Sequence, residues 1–226
     1  MNLKRLVKQF LVTSRNKLKK KLLNIERNVL VLYKKQDIKK VIQSRSALYL
    51  HLGCGQIHLP NWINIDIVNT AAVDLKWNLK YGFPFDDNSI DLIYSEHFLE
   101  HLTLDDGISL LRNSYKVLKT GGIIRIAMPD LEVLVDNYLH LWQTDNWKKD
   151  LAFDRTGNET ACELFNIGMR SWEHKYIYDF NDMKKRLENA GFGGIKRVSW
   201  GKSDHLELNN LETRDETHLI VEATKL

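Results

Sequence analysis

Two groups of residues in this chain have types and spacings that do chemistry. The first is Leu48-Tyr-Leu-His-Leu-Gly-Cys-Gly55, followed by Trp62-Ile-Asn-Ile-Asp66. An apolar run that breaks into two glycines one residue apart lets the backbone approach a ligand, because no Cβ stands in the way. Asp66, closing the next apolar run, is placed to accept hydrogen bonds from a ribose diol. Together they point to a nucleotide-like cofactor. A dinucleotide is disfavoured, since that fingerprint needs a third glycine and an acid about 20 residues further on. Here His58 and Leu59 stand where the loop would continue, and only about ten residues separate Gly55 from Asp66.

The second group is Ser95-Glu-His-Phe-Leu-Glu-His101. H-x-x-E-H is the pattern of a zinc peptidase helix, with two histidine ligands and a glutamate that activates water. It follows directly on an apolar strand here, and that reading is set aside. Glu100 and His101 could still hold a divalent ion beside a cofactor. Capping and loop hydrogen bonds are the commoner fate of such a pair, so no metal is expected. A histidine near neutral pKa suits proton removal from a hydroxyl. The candidate bases are His97 and His101, with His174 further along the chain.

These residues need elements to position them. The patterning predicts strands over Ala47–Leu52, Trp62–Ile67, Ala71–Leu75, Ile90–Ser95 and Ile123–Met128. Helical spacing covers Leu104–Leu118, with Thr103 as N-cap and Thr120-Gly-Gly122 as its terminator. Further helices are expected over Asp130–Trp142 and over Phe180–Ala190, the latter closed by Gly191. Residues 143–177 read as irregular. Ile195–Trp200 and Thr217–Ala223 read as a terminal antiparallel pair. Alternating β and α elements with apolar strands imply a mostly parallel sheet covered on both faces.

Composition divides the chain. Residues 1–45 hold 14 Lys and Arg against 2 acids, while the remainder holds 19 bases against 27 acids, within an overall charge of +4. A basic arm, residues 1–45, thus precedes an acidic domain, residues 46–226. Leu3, Leu6, Val7, Phe10, Leu11, Leu18, Leu22, Ile25 and Val29 recur in the arm at mostly helical steps. Such a helix can lie on an anionic membrane, bind nucleic acid, or pack on its own domain or a second copy. No run approaches the roughly 20 apolar residues of a membrane span. Two cysteines, Cys54 and Cys162, supply neither a disulfide framework nor a metal cluster. The expected compartment is the cytoplasm, with peripheral contact to the inner face of the membrane through the arm.

The ordered motifs resemble the class I S-adenosylmethionine-dependent methyltransferases. Leu50-His-Leu-Gly-Cys-Gly55 is similar to the loop that cradles the methionine part of the cofactor. Asp66 matches the ribose-binding acid, and Val73-Asp-Leu75 the adenine segment. Phe83-Pro-Phe-Asp-Asp-Asn-Ser-Ile-Asp-Leu-Ile-Tyr94 resembles the family's turn into its fourth strand. Ser95–Leu102 matches the segment beside the reacting methyl, Leu118–Ile124 the turn into the fifth strand, and Ala190-Gly-Phe192 a late turn. A narrower resemblance is to predicted bacterial methyltransferases found among surface-polysaccharide genes. It rests on His58–Asp66, Met128-Pro-Asp-Leu131, His174 and Tyr178-Asp179.

The resemblance implies a doubly wound, mostly parallel seven-stranded sheet behind the helical arm, with S-adenosylmethionine as cofactor. Cofactor contacts are implied at Gly53, Cys54, Gly55, Asp66, Ile67, Asp74, Leu75, Ser95 and Glu96. The expected reaction is methyl transfer to a small-molecule or saccharide acceptor at oxygen. Nucleic acid is not the expected partner, since the Asp/Asn-Pro-Pro-Tyr/Phe signature of base-amine methylation is replaced by Ser95-Glu-His97. A non-catalytic cofactor-binding scaffold and an RNA-directed enzyme using the arm are the alternatives. Cys54 reads as a small side chain packed under the cofactor. Trp142, Trp147, Trp172 and Tyr176 are aromatics that could stack on a sugar.

Overall fold

The apolar runs form seven strands: β1 (Tyr49–Leu52), β2 (Ile63–Asp66), β3 (Leu75–Lys76), β4 (Ile90–Glu96), β5 (Leu118–Met128), β6 (Phe192–Arg197) and β7 (Leu219–Lys225). A computed structural model describes residues 18, 21–43, 45–142 and 160–226. The strands make one sheet in the order β3-β2-β1-β4-β5-β7-β6. Pairing is parallel from β3 through β5, and β7 runs antiparallel to both β5 and β6. This is the mostly parallel seven-stranded sheet expected, with its terminal antiparallel pair. The chain leaves β1 towards β2 and β3, then returns to β4 on the other side of β1. In open α/β sheets that reversal opens a crevice at the strands' carboxyl ends. The Gly53–Gly55 loop and the segment after β4 meet there.

Period-two alternation sorts the strand side chains between two faces. On one face Leu50, Ile63, Ile93, Ile124 and Ile126 are buried beneath the helices. These are α2 (Lys35–Ile42), α3 (Leu104–Val117) and α6 (Phe180–Ala190). Ile38, Leu110, Leu111, Val117, Met183 and Leu187 are their contributions to this core. On the other face Trp62, Leu92, Tyr94, Ile123, Ala127 and Ile220 pack against Leu208 and Leu211. The long β6–β7 connection therefore covers that face.

Thr103 caps α3 as expected, its hydroxyl accepting from the Asp106 amide at 3.3 Å. Gly191 closes α6 in the left-handed region, with φ +109°. The expected terminator of α3 is corrected: the helix ends at Val117 and Leu118 is already extended. Leu118 pairs with Ile90, and the register then shifts before Ile123 joins Leu92. Thr120-Gly-Gly122 thus sits in an irregular stretch of β5. A Cβ on Gly122 would lie 2.9 Å from the Lys119 carbonyl oxygen and 3.0 Å from that of Asp91, so a side chain there would force the backbone to shift.

Residues 143–177 are not irregular throughout. α5 (Ala161–Arg170) follows a capping box in which Thr160 and Glu163 exchange hydrogen bonds. It packs on α4 (Leu131–Asp136), which continues through a π-type turn over Asn137–Leu141. Leu134, Trp142, Leu164 and Ile177 form a satellite core there. Residues 143–159, including Trp147 of the expected sugar-stacking set, lie outside the described residues.

Residues 53–62 and 67–74 carry no helix between the first three strands. The basic arm supplies apolar side chains instead. Residues 21–33 form a helix, α1, whose Leu30 and Val31 pack with Ile38, Val41 and Ile42 of α2 on the main core. Arg27 Nε donates to the Phe83 carbonyl at 3.0 Å. The arm therefore packs on its own domain along one face. Leu18, Leu22, Ile25, Val29 and Leu32, at steps of four and three, stay exposed. Residues 1–17 lie outside the described residues. No helix among the described residues is long and apolar enough to cross a membrane.

Candidate active site

Gly53 and Gly55 leave β1 with φ of +65° and +55°, a region costly for any residue with a Cβ. The amides of Gly53 and Cys54 donate to the Ile65 carbonyl at 2.9 and 3.2 Å. Gly55 N donates to Asp66 Oδ2 at 2.9 Å, and Val68 N to Asp66 Oδ1 at 2.8 Å. Thr70 Oγ1 adds a bond to the Gly55 carbonyl at 2.7 Å. The loop is thereby locked to the end of β2.

The two glycines meet different surroundings. A Cβ on Gly53 would fall 2.4 Å from the Phe98 ring, whereas one on Gly55 would meet nothing within 4 Å among the described residues. Gly53 is thus closed from above by an aromatic, and Gly55 faces open space. Beside them lies a pocket of about 110 Å³. Its walls are Gly53, Asp66, Ile67, Trp77, Asn78, Leu79, Lys80, Phe98, Leu102, Asp106 and Leu110. Lys80 and Asp106 form an ion pair of 3.2 Å at its rim.

Gly53, Gly55, Asp66 and Ile67 come together as expected from the sequence. Asp74 and Leu75 do not join them. Asp74 precedes β3 rather than following it, and its Oδ2 accepts from Asn64 N at 2.9 Å and Asn64 Nδ2 at 2.8 Å. Leu75 is a buried core residue of β3. Only Leu75 and Lys76 pair with β2, so the carboxyl end of β3 presents Trp77 and Asn78 to the pocket. Sequence reasoning missed both, along with Phe98 and Leu102. The four-residue step between those two was the available signal.

Cys54 is buried, and burial, with Asp66 and Asp74 nearby, pushes its thiol up to about 12. Only about one molecule in 10⁴ would carry the thiolate at pH 8. Iodoacetamide at that pH is expected to label exposed Cys162 alone in the folded chain, and both cysteines after denaturation. Labelling of Cys54 in the folded protein, read by peptide mass, would contradict this placement.

Ser95 and Glu96 are buried at the end of β4. Glu96 is an anchor: its carboxylate accepts from Thr213 N, Thr213 Oγ1, Arg214 N and Thr217 Oγ1 at 2.7–3.1 Å. His97 joins it through Nε2, 2.9 Å from Thr217 Oγ1. This end of β4 holds the β6–β7 connection in place.

Beyond it, Leu99–His101 forms a 3₁₀ turn in which Glu100 is completely buried. Glu100 Oε1 lies 3.2 Å from His97 Nδ1 and 4.0 Å from His101 Nε2. The His101 and His174 rings meet edge to face at 5.0 Å. Burial lowers the His101 pKa against the opposing pull of Glu100, which favours a neutral ring. The structure therefore gathers all three candidate histidines around one carboxylate. Residues 171–178 bring His174 there, because the Lys175 and Tyr176 amides both donate to the Glu100 carbonyl, at 2.8 and 3.2 Å. Trp172 is exposed beside His174, at a ring separation of 5.7 Å.

Comparison with known proteins bears on this arrangement. Residues 50–126 match a family model described as a methyltransferase domain. No curated protein matches the chain significantly in sequence. Among solved structures, a SAM-dependent methyltransferase from Thermotoga maritima superposes with a TM-score of 0.50 at 17% identity, covering 94% of this chain and 97% of that one. A SAM-dependent methyltransferase from Archaeoglobus fulgidus gives 0.49 at 17% identity, over 88% and 94%. The Gly55 cradle and Asp66 fit the cofactor that the matched domain implies, S-adenosylmethionine. This chain thus has the Rossmann-type methyltransferase fold, with the methyltransferase-domain match spanning its cofactor end.

Proposed function

We propose that this protein transfers a methyl group from S-adenosylmethionine to a hydroxyl of a saccharide or other small acceptor. The observation that carries the reading is the loop Gly53–Gly55, locked to Asp66 and open above Gly55 beside a pocket. When bound, the cofactor supplies an electrophilic methyl on a sulfonium sulfur. The Gly55 backbone, Asp66 and Ile67 would hold it, with Asn78 at the end of β3. Phe98 and Leu102 give the pocket an apolar wall that excludes water. The Glu100, His101 and His174 side chains mark the acceptor end.

Oxygen as the accepting atom is supported by this polar, histidine-lined end and by Ser95-Glu-His97 where base-amine enzymes carry Asn-Pro-Pro-Tyr. The saccharide rests on the narrower sequence resemblance. The task left to the chain is to hold the acceptor in line and close.

Calorimetry on the full chain is the test. S-adenosylmethionine and its demethylated product are each expected to bind at one site, and turnover is expected with an acceptor from a panel of hydroxylated saccharides. No heat of binding at millimolar cofactor would overturn the reading. Binding without turnover across the panel would favour the non-catalytic scaffold.

A further inference from the structure

Glu100 poses a chemical problem that the cofactor site does not solve. Its side chain is fully buried, and among the described residues neither carboxylate oxygen has a hydrogen-bond partner. An unpaired buried carboxylate costs several kcal/mol, so a cation is its natural complement. No lysine or arginine pairs with it among the described residues; its ion-pair contacts are His97 and His101.

The histidines are arranged as ligands rather than as donors to this carboxylate. Thr217 Oγ1 gives its single proton to Glu96, so His97 Nε2 must donate to Thr217. That turns His97 Nδ1 towards Glu100 Oε1, 3.2 Å away and without hydrogen-bond geometry. His174 Nδ1 donates to the Gly168 carbonyl at 2.9 Å, which leaves its lone pair on Nε2. Histidine ligands of metals are held in this way, one nitrogen donating to the protein and the other free.

Ligand atoms from Glu100, His101 and His174 all lie within 4.8 Å of one another. Tetrahedral coordination at roughly 2.0–2.2 Å brings ligand atoms to about 3.4 Å, a closure within reach of side-chain rotation. The backbone is also forced at this spot. Six non-glycine residues among those described have positive φ, and the three that are not asparagine are His97, Trp172 and Glu173. Asparagine, and to a lesser degree histidine, visits that region readily, whereas Trp172 and Glu173 are uncommon there. Strained backbone of this kind marks a place where side-chain aim is over-determined.

We propose that Glu100, His101 and His174 bind one divalent transition-metal ion, with His97 beside the same carboxylate oxygen, and that the ion holds an oxygen of the acceptor. The sequence raised Glu100 and His101 as a possible ion site without expecting a metal; the fold adds His174 to them. Two imidazoles and one carboxylate favour Zn²⁺, Co²⁺ or Mn²⁺ over Mg²⁺ and Ca²⁺, which prefer all-oxygen sites. Three protein ligands leave a coordination position for an external oxygen. The ion would lie close to the pocket in sequence terms, because Phe98 and Leu102 of its wall bracket Glu100 and His101. The acceptor role rests on the methyl-transfer reading; the binding of the ion does not.

The test uses the full chain, stripped with a chelator and titrated with Zn²⁺ and Co²⁺. One ion per chain is expected, with a visible Co²⁺ absorption of low-symmetry nitrogen and oxygen ligation and a rise in Tm. Glu100→Gln and His174→Ala are each expected to weaken binding at least about tenfold and to remove the Co²⁺ band. Asp66→Asn should weaken S-adenosylmethionine and leave the ion's affinity unchanged. Absence of stoichiometric binding, or binding that survives both ligand substitutions in folded protein, overturns the metal site. Loss of cofactor binding alone, with the Co²⁺ spectrum intact in the wild type, overturns methyl transfer instead.

Discussion

Replacing Arg125 with methionine is expected to lower the unfolding free energy by about 3–5 kcal/mol. Arg125 lies in β5 and is fully buried on the sheet face covered by the β6–β7 connection. Its Nε donates to Glu212 at 2.7 Å, and its Nη1 to Glu222 at 2.6 Å and to the Lys202 carbonyl at 2.9 Å. Glu222 stands opposite it on β7, while Glu212 comes from the covering loop. Methionine would leave two buried carboxylates without their main counter-charge. The variant Arg125→Met/Glu212→Gln/Glu222→Gln removes all three charges and is expected to recover much of the loss, because the cost lies in the stranded charges rather than in the missing pair. Urea denaturation reads both values. A single-variant loss below about 1 kcal/mol would show that water or a rearranged Lys196 compensates the acids.

The effect should reach the site. Glu212 also accepts from Gly201 N at 3.0 Å, and the same connection continues to Thr213, Arg214 and Thr217 on Glu96. Loosening it at Arg125 loosens the partners that hold Glu96 and His97. Ligand affinity in Arg125→Met should therefore fall even below its unfolding temperature.

Gly53→Ala is the substitution expected to damage the cofactor end most. The left-handed φ of +65° costs alanine about 1–2 kcal/mol. Its Cβ would also sit 2.4 Å from the Phe98 ring, and forced repacking of this kind costs about 1–3 kcal/mol more. Phe98 lines the pocket, so a ring pushed away from Gly53 changes the pocket's shape. S-adenosylmethionine affinity is expected to fall at least about tenfold, a change of 1.4 kcal/mol. Gly55→Ala separates the two causes. It meets the same backbone strain without a clash, so it should destabilise less while its methyl still fills the cradle. Combining Gly53→Ala with Phe98→Ala should give a stability loss smaller than the sum of the two. An additive pair, measured by denaturation, would mean that the ring and the loop do not press on each other.

Much of the fold was legible because its signals are local. The apolar runs around Leu50, Ile63 and Ile93 became strands, Thr103 and Gly191 capped the helices they bracket, and the Gly53–Gly55 turn met Asp66. Leu118 shows where locality failed. Its neighbours carry a helix terminator, yet pairing with Ile90 draws it into β5, since ladder hydrogen bonds outweigh the capping preference of Gly121 and Gly122. Asp74 failed for a related reason. Sequence order placed a carboxylate near β3 without showing which end of so short a strand would carry it, and the pocket received Asn78 instead.

By itself, the order of residues determined the chemistry available: a glycine loop that admits a ligand, an acid ten or so residues on, and histidines with a glutamate after an apolar strand. Each is a short-range pattern set by backbone conformation and side-chain type. Only the tertiary structure decided which of these meet. Glu100 and His174 are brought together by the main-chain bonds of Lys175 and Tyr176 to the Glu100 carbonyl. Arg125 finds Glu212 only once β5, β7 and the loop between β6 and β7 are stacked. Such contacts depend on strand order and register, which alternating hydrophobicity cannot encode, because the same period-two pattern serves every neighbour a strand might take.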